Sequence, residues 1–315
     1  WVLAPGAGGT IYTINGGGEW VYNRYPGPGE TMDADDPVEV VRRALGEDLD
    51  IEIISVQDWL PRQLVAEAYG TGRVFLAGDA CHLFVPTGGF GMNTGIGDAV
   101  DLAWKIAAVE KGWGGAKLLA CYQTERHPVA QFNTVEAADN YARSGELFNV
   151  PADLESEGES GQAARNAVAS RLPPKLKHFA PIGVHLGYRY EGSPLIIPDG
   201  TPAPAMETAS YTPSSRPGHR APHAWLADGR SILDGFGNGF VLLCFSRDAA
   251  QGMKLKAAAD DAGVPLAVVS IDDPGIAGIY EKRLVLVRPD GHVAWRADTE
   301  PDDPATLVAR ISGQK

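Results

Sequence analysis

The sequence predicts an α/β protein built as an α+β portion followed by a compact α/β domain. Three observations carry this expectation. Residues 73–104, RVFLAGDACHLFVPTGGFGMNTGIGDAVDLAW, read as a short apolar strand, a glycine-rich loop and a helix. From about residue 225 the pattern changes to a β-α-β-β-α order. Between the two, residues 191–222 hold Pro194, Pro198, Pro202, Pro204, Pro213, Pro217 and Pro222, too many for a long helix or central strand. That stretch is expected to be a linker packed extended over a surface. The boundaries follow as 1–150, 151–222 and 223–315.

The elements can be justified in order. Residues 10–14 (TIYTI) and 20–25 (WVYNRY) are rich in aromatic and β-branched types, and Asn15-Gly16-Gly17-Gly18 between them signals a hairpin. Trp20, Tyr22 and Arg24 share one face of the second strand by period two. After Pro26-Gly27-Pro28-Gly29 a helix begins at Asp36 as N-cap with Pro37 first; Val38, Val41 and Leu45 share a face and Gly46 stops it. Ile51 to Val56 reads as a strand, and Trp59 to Tyr69 as strand and connection. The helix entered at Met92-Asn93 carries Ile96, Ala99, Val100, Ala103, Ile106 and Ala107 at helical spacing and ends at Gly112. Leu118 to Gln131 is another helix, kinked or offset at Pro128. The acidic stretch 153–165 reads as an exposed loop. In the last domain, Phe240 to Phe245 and Val264 to Ser270 are strands around a helix at 249–262. Leu284 to Val287 and His292 to Arg296 pair around Pro289-Asp290-Gly291. Asp303 caps a final helix with Pro304 at its first position.

Composition limits the function classes. Acidic residues exceed basic ones by 40 to 27, a net charge of −13, which argues against nucleic-acid or anionic-membrane partners. No apolar stretch approaches the ~20 residues needed to span a bilayer, and the sequence opens on Trp1 without a charged-then-apolar leader. Cys81, Cys121 and Cys244 are far apart, no CxxC occurs, and the seven histidines show no paired-ligand spacing. A cytoplasmic protein without a metal site is the expectation.

The chemistry concentrates at residues 78–93. A strand ending at Gly78-Asp79 presents one acid, and the loop with Pro86, Gly88, Gly89 and Gly91 leads into a helix N-terminus. Exposed N–H groups and the helix dipole there favour an anionic or polar ligand. Gly78 allows close backbone approach. Asp79 alone fits a turn or cap role.

This run closely resembles the second FAD-binding motif of the aromatic-ring flavoprotein monooxygenases, with acid, proline, glycines and Met-Asn in register over about thirty residues. PGHRAPHAWL (217–226) and LVLVRPDGHVAWR (284–296) are similar to the phenol and polyketide hydroxylase branch, whose C-terminal domain is thioredoxin-like. The resemblance implies non-covalent FAD, NAD(P)H as co-substrate and oxygen transfer to an aromatic substrate through a flavin C4a-hydroperoxide. It admits a homodimer. It implies that Asp79 accepts hydrogen bonds from the ribityl chain. Gly78, Gly88, Gly89, Phe90, Gly91, Met92 and Asn93 complete the cofactor site, with N–H groups toward the N1–C2 carbonyl edge. Pro86 lies beside the ring as the pocket-shaping catalytic position. His82 takes a structural part, and Cys81 a small buried one. Members of this family begin with a βαβ unit carrying GxGxxG. The nearest segment here, Gly6-Ala7-Gly8-Gly9-Thr10, precedes a β segment and reads as a turn, so the chain is expected to be the C-terminal part of a longer enzyme.

Two other functions stay open on the residues. One is a non-catalytic binding or assembly module derived from a flavoprotein. The other is a thioredoxin-fold oxidoreductase, against which stands a terminal domain whose single Cys244 is mid-strand, with Ser246, Arg247 and Asp248 where a reactive cysteine would sit.

Overall fold

The computed structural model describes residues 1–25, 36–172, 176–246, 248 and 250–315; the Pro26-Gly27-Pro28-Gly29 run and Arg247 fall outside them. Contacts group the described chain into two units. One comprises Trp1–Arg62, Val85–Gly88 and Glu136–Ala180, the other Gln63–Phe84, Gly89–Val135 and Pro181–Lys315.

In the first unit the glycine-rich turn does what its composition dictates. Strands β1 (Gly9–Thr13) and β2 (Trp20–Arg24) pair antiparallel with Thr13 opposite Trp20. Asn15 Oδ1 accepts from Gly17 N–H at 2.9 Å inside the turn. Tyr22 donates to the Ala7 carbonyl at 2.6 Å, and Tyr25 stacks on Phe148 at 4.7 Å. Helix α1 (Pro37–Leu45) is capped by Asp36, which accepts from Val38 N–H, and is closed by Gly46 at φ 73°. Its buried residue is Val40, with Val38 and Val41 half-buried and Leu45 exposed.

Two expectations fail in this unit. Residues 51–56 form no strand; Ile54 and Val56 are exposed, as are Trp59 and Leu60 farther on. A strand needs a ladder partner for its N–H and C=O groups, and none of the described segments supplies one. The acidic 153–165 stretch is not all loop. Its second half enters a helix, Gly158–Ala169, where alanines outweigh the glycines and Gly161, Ala164 and Val168 are buried.

The second unit opens with very short strands, β3 (Leu64–Val65), β4 (Gly70–Thr71), β5 (Val74–Phe75) and β6 (His82–Leu83), pairing β3 with β6 and β4 with β5. The motif strand expected to run up to Gly78 is therefore two residues long. Helix α2 (Phe90–Glu110) begins two residues before Met92, and α3 (Ala116–Phe148) runs through Pro128 far past Gln131. Beyond α3 lie α4 (the Gly158–Ala169 helix), α5 (Leu176–Phe179) and α6 (Ile182–Gly187). Residues 191–222 carry no helix or strand, as their prolines require.

Helix α2 buries the opposite side from its apolar repeat. Ile96, Ala99, Val100, Ala103 and Ile106 are exposed, while Thr94, Asp98, Asp101, Trp104 and Lys105 are buried. The reason is charge pairing with α3 and the terminal domain. Lys105 Nζ contacts Asp101 at 2.7 Å and Glu125 at 2.5 Å. Arg288 forks onto both Glu125 oxygens at 2.6 and 2.9 Å and reaches Asp101 at 3.1 Å and Asp290 at 2.6 Å. Ser193 donates to Glu125 at 2.5 Å.

The terminal domain is a four-stranded sheet of order β10-β9-β7-β8. Strands β7 (Phe240–Cys244) and β8 (Leu266–Ser270) run parallel across α7 (Met253–Asp261); β9 (Leu284–Val287) and β10 (Val293–Ala297) form the antiparallel hairpin. Helix α8 (Pro274–Tyr280), capped by Asp273, adds to the expected order, and α9 (Pro304–Ile311) starts at Asp303 as anticipated. Strand β7 is fully buried because both faces are covered. Phe240, Leu242 and Cys244 join a core shared with Trp104, Ala108, Leu118 and Cys121 of α2 and α3. Val241 and Leu243 join a second core with Ile232, Ile276 and Tyr280.

Three carboxyls share two cations in the buried network. Burial penalises the charged Asp101, and the Glu125 and Asp290 carboxylates add to this against Lys105 and Arg288, pushing Asp101 up to about 8. Burial opposes ionisation of Glu125 as well, but Arg288 and Lys105 prevail and hold it far below its usual range. A carboxyl raised on folding binds a proton the unfolded chain has released, so its contribution is full below the unfolded pKa and gone above the folded one. Asp101→Asn, which cannot ionise, is expected to gain on the wild type by about 1.4 kcal/mol per pH unit within the window from ~4 to about 8. Denaturant unfolding of both proteins across that range checks it; parallel curves would assign the surplus proton elsewhere.

Candidate functional site

A tight turn sits where the glycine-rich motif begins. Gly78–Ala80 form a single 3-10 turn, with Gly78 at φ 58°, a left-handed conformation that favours glycine. The Gly78 N–H donates to Asp98 Oδ2 at 3.2 Å, so α2 holds the turn from beneath. The two segments touch: a Cβ on Gly95 would lie 3.1 Å from Gly78 Cα, and one on Gly97 would lie 2.7 Å from Arg126 Nη2. The glycines inside α2 are therefore there for approach, at a cost of about 1 kcal/mol each in helix propensity.

Asp98 is the hub under this turn. It is fully buried and meets His82 Nε2 at 2.6 Å and Arg126 Nε at 2.8 Å. Burial works against its charge, but the His82 hydrogen bond and Arg126 prevail and hold its carboxyl below the usual range. Arg126 also donates to the Thr94 carbonyl at 3.0 Å, and Asn133 donates to Thr94 Oγ1 at 2.9 Å. His82 is thus buried and paired with Asp98. Cys81, 2% exposed, has its thiol pushed up to about 12 by burial and by Asp98. The ligating atoms of Cys81, His82 and Asp98 lie within 4.8 Å of one another. Asp98 is already committed to Gly78, His82 and a guanidinium, a cation that repels a metal ion from the same carboxylate.

Of the residues singled out from sequence, Asp79 is exposed on the turn, and none of the described residues hydrogen-bonds its carboxylate. Gly89 is the N-cap of α2 at φ 68°, and no side chain caps the helix. The N–H groups of its first turn are left for an outside acceptor. Asn93 Nδ2 turns back to the Gly89 carbonyl at 2.7 Å, and Met92 is exposed. Phe90 is 1% exposed and its ring packs inward, 5.7 Å from that of His185. Gly91 has no positive φ, and a Cβ there would make ordinary contact with Phe84 at 3.5 Å. The glycines whose backbone demands freedom are Gly88, at φ 91°, and Gly89. Pro86 is exposed and Thr87 buried, the latter donating to the Ala137 carbonyl at 2.6 Å; both belong, with Gly88, to the first unit.

Sequence reading missed Asp98, Arg126, Thr94 and Asn133. Their signal is weak: polar residues at i, i+4 spacing on α2 look like a solvated face until α3 is laid against them. Behind this seam lies a cavity of about 50 Å³ lined in part by Thr94, Gly97, Arg126, Asn133 and Tyr188. Arg126 Nη1 and Asn133 Oδ1 are buried there without a hydrogen-bond partner among the described residues, a polar space large enough for a water molecule.

Comparison with known proteins gives these features a context. Residues 20–137 match the FAD-binding domain family, and residues 214–314 match the aromatic-ring hydroxylase C-terminal family. The chain is 38% identical over 280 residues to the FAD-dependent monooxygenase apdD of Emericella nidulans, covering 83% of this chain and 44% of that protein. It is 33% identical over 321 residues to the tetracenomycin B2 monooxygenase-dioxygenase of Streptomyces olivaceus, covering 96% and 54%. Among solved structures it resembles RebC with bound 7-carboxy-K252c, at 44% identity and TM-score 0.83 over 90% of this chain and 54% of that one. It also resembles the flavin-dependent monooxygenase PieE in complex with FAD and substrate, at 31% identity and TM-score 0.84 over 99% and 60%. The chain spans about half the length of the relatives it matches. Among the described residues no helix is long and apolar enough to cross a membrane. The glycine-freed turn, the α2 entry and the Asp79 carboxylate, both without a side-chain partner among the described residues, fit a flavin, whose hydroxyls donate and whose ring carbonyls accept. With both halves of the match on one chain, it belongs to the FAD-dependent aromatic-ring hydroxylase family.

Proposed function

We propose that this chain is the flavin- and substrate-side part of an FAD-dependent monooxygenase that hydroxylates an aromatic small molecule with NAD(P)H and O2. One observation carries the reading. Among the described residues nothing hydrogen-bonds the Asp79 carboxylate and no side chain caps the α2 N-terminus, and both lie on one short, glycine-built segment. When bound, the flavin supplies hydride acceptance and oxygen activation, the chemistry side chains cannot provide.

The chain's own residues bind and orient. Asp79 accepts hydrogen bonds from cofactor hydroxyls, and Gly78 lets the backbone come close. The first N–H groups of α2 stabilise negative charge on the reduced ring at no cost of reorganisation. Met92 and Asn93 form the helix entry, and Pro86 keeps the pocket-shaping part that the family resemblance implies. Relatives named for tetracenomycin B2 and for aklavinone support an aromatic natural-product-like substrate. We read the terminal domain as thioredoxin-like and redox-silent. Its Cys244 is buried at the end of β7, and burial pushes the thiol up to about 11, leaving it protonated near neutral pH.

Asp79→Ala removes one hydrogen-bond acceptor and is expected to weaken FAD by about 5- to 150-fold, the equivalent of ~1–3 kcal/mol. Flavin fluorescence titration of the purified flavoprotein measures it, and an unchanged affinity would count against the assignment.

A glycine pair separates folding from binding. Gly89→Ala forces an L-residue into a left-handed conformation and should lower stability by about 1–2 kcal/mol. Gly91→Ala meets only an ordinary contact and gains helix propensity, so it should not lower the unfolding temperature while lowering FAD affinity. If Gly91→Ala binds FAD like the wild type, the α2 entry does not touch the cofactor.

A further inference from the structure

The terminal domain contributes one side chain to the centre of the flavin-bearing helices. Arg288 follows β9 and is 1% exposed, stacked between Trp104 and Tyr190 with its guanidinium carbon 5.2 and 5.1 Å from the ring centroids. Its fork grips both oxygens of Glu125 on α3, at 2.6 and 2.9 Å, and one of Asp101 on α2, at 3.1 Å. No other residue among those described bridges both helices from the terminal domain through charge. A single step along each helix leads to the flavin turn. Asp98 lies one turn before Asp101 on α2, and Arg126 follows Glu125 on α3. Asp98 and Arg126 bind each other at 2.8 Å, and Asp98 holds the Gly78 N–H. Glu125 and Arg126 thus face two ways, one toward Arg288 and one toward the turn that carries Asp79.

We propose that Arg288 is a positioning residue for the cofactor site: it fixes α2 against α3 in the register that lets Asp98 hold the Gly78–Asp79 turn. The terminal domain then has a function that needs no thiol. This rests on the flavin reading above. The physical case is that a planar fork can satisfy carboxylates on two helices at once, whereas an ammonium is a point charge that cannot hold their relative position. The apolar cluster that these helices share with the terminal domain, including Trp104, Ala108, Leu118 and Cys121, is non-directional, and the shared charges fix the register it leaves open.

The test compares variants matched in stability. Arg288→Lys keeps the charge and loses the fork. It is expected to weaken FAD about tenfold, the usual size of coupling between linked sites, and to shift the visible absorption band of the bound flavin. Ile276→Ala, in the core made of terminal-domain residues alone, should lower the unfolding temperature while leaving flavin affinity and spectrum at wild-type values. Asp98→Asn combined with Arg288→Lys should cost less than the sum of the two, because both act through one turn. If Arg288→Lys does not fold, the charge-balanced pair Arg288→Gln with Asp290→Asn carries the same expectation. An Arg288 variant that loses stability as Ile276→Ala does, yet binds FAD with unchanged affinity and spectrum, overturns the inference alone. A wild-type protein that takes up no FAD overturns the flavin reading and this inference together.

Discussion

Buried carboxylates must be paired, and in the second unit that requirement governs the arrangement of the helices. Asp98, Asp101 and Glu125 are fully buried, and each is matched by Arg126, Lys105 or Arg288 within 3.1 Å. Removing one partner from such a pair costs about 3–5 kcal/mol, since the remaining charge keeps its desolvation penalty without its compensation. The network therefore adds little net stability over a well-packed apolar seam but tolerates few alternative geometries. It explains why α2 turns its polar side inward and leaves Met92, Ile96 and Val100 exposed.

The same constraint explains a helix that is locally poor. Gly91, Gly95 and Gly97 fall within the first eight residues of α2, and its N-terminus has no side-chain cap. Isolated, such a sequence would form helix badly. It is held by partners instead: Thr94, Asp98, Asp101 and Lys105 are tied to α3 or to the terminal domain. The local weaknesses coincide with the surface proposed for the cofactor, where glycines permit approach and uncapped N–H groups remain available. Stability given up at a site and supplied by its surroundings is the usual relation between a functional segment and its scaffold.

The terminal domain shows how one sheet serves two cores. Alternate residues of β7 enter separate clusters, and one of those clusters includes α2 and α3 side chains. Apolar burial brings the domain to the helices without specifying orientation closely. The Arg288 fork, with defined distances to carboxylates on both helices, supplies that orientation.

What the sequence determined by itself is what short-range physics encodes. The Asn15-Gly18 hairpin, the Asp36-Pro37 and Asp303-Pro304 helix starts, the Gly46 stop and the strands of the terminal domain all depend on residues a few positions apart. The acid-proline-glycine run from Gly78 to Asn93 was legible for the same reason, as was its family. Tertiary structure decided the rest. Which loop glycines need a positive φ, Gly88 and Gly89 rather than Gly91, follows from how the chain enters α2. The strand expected at 51–56 has no ladder partner among the described residues, and the helix at 158–169 forms where charge suggested a loop. The hub under the site was invisible because its members are remote. Asp98 and Arg126 are 28 residues apart, Arg288 and Glu125 are 163, and Arg288 and Asp101 are 187. A charged residue in a helix looks solvated until its partner is known, and only the folded chain brings that partner to it.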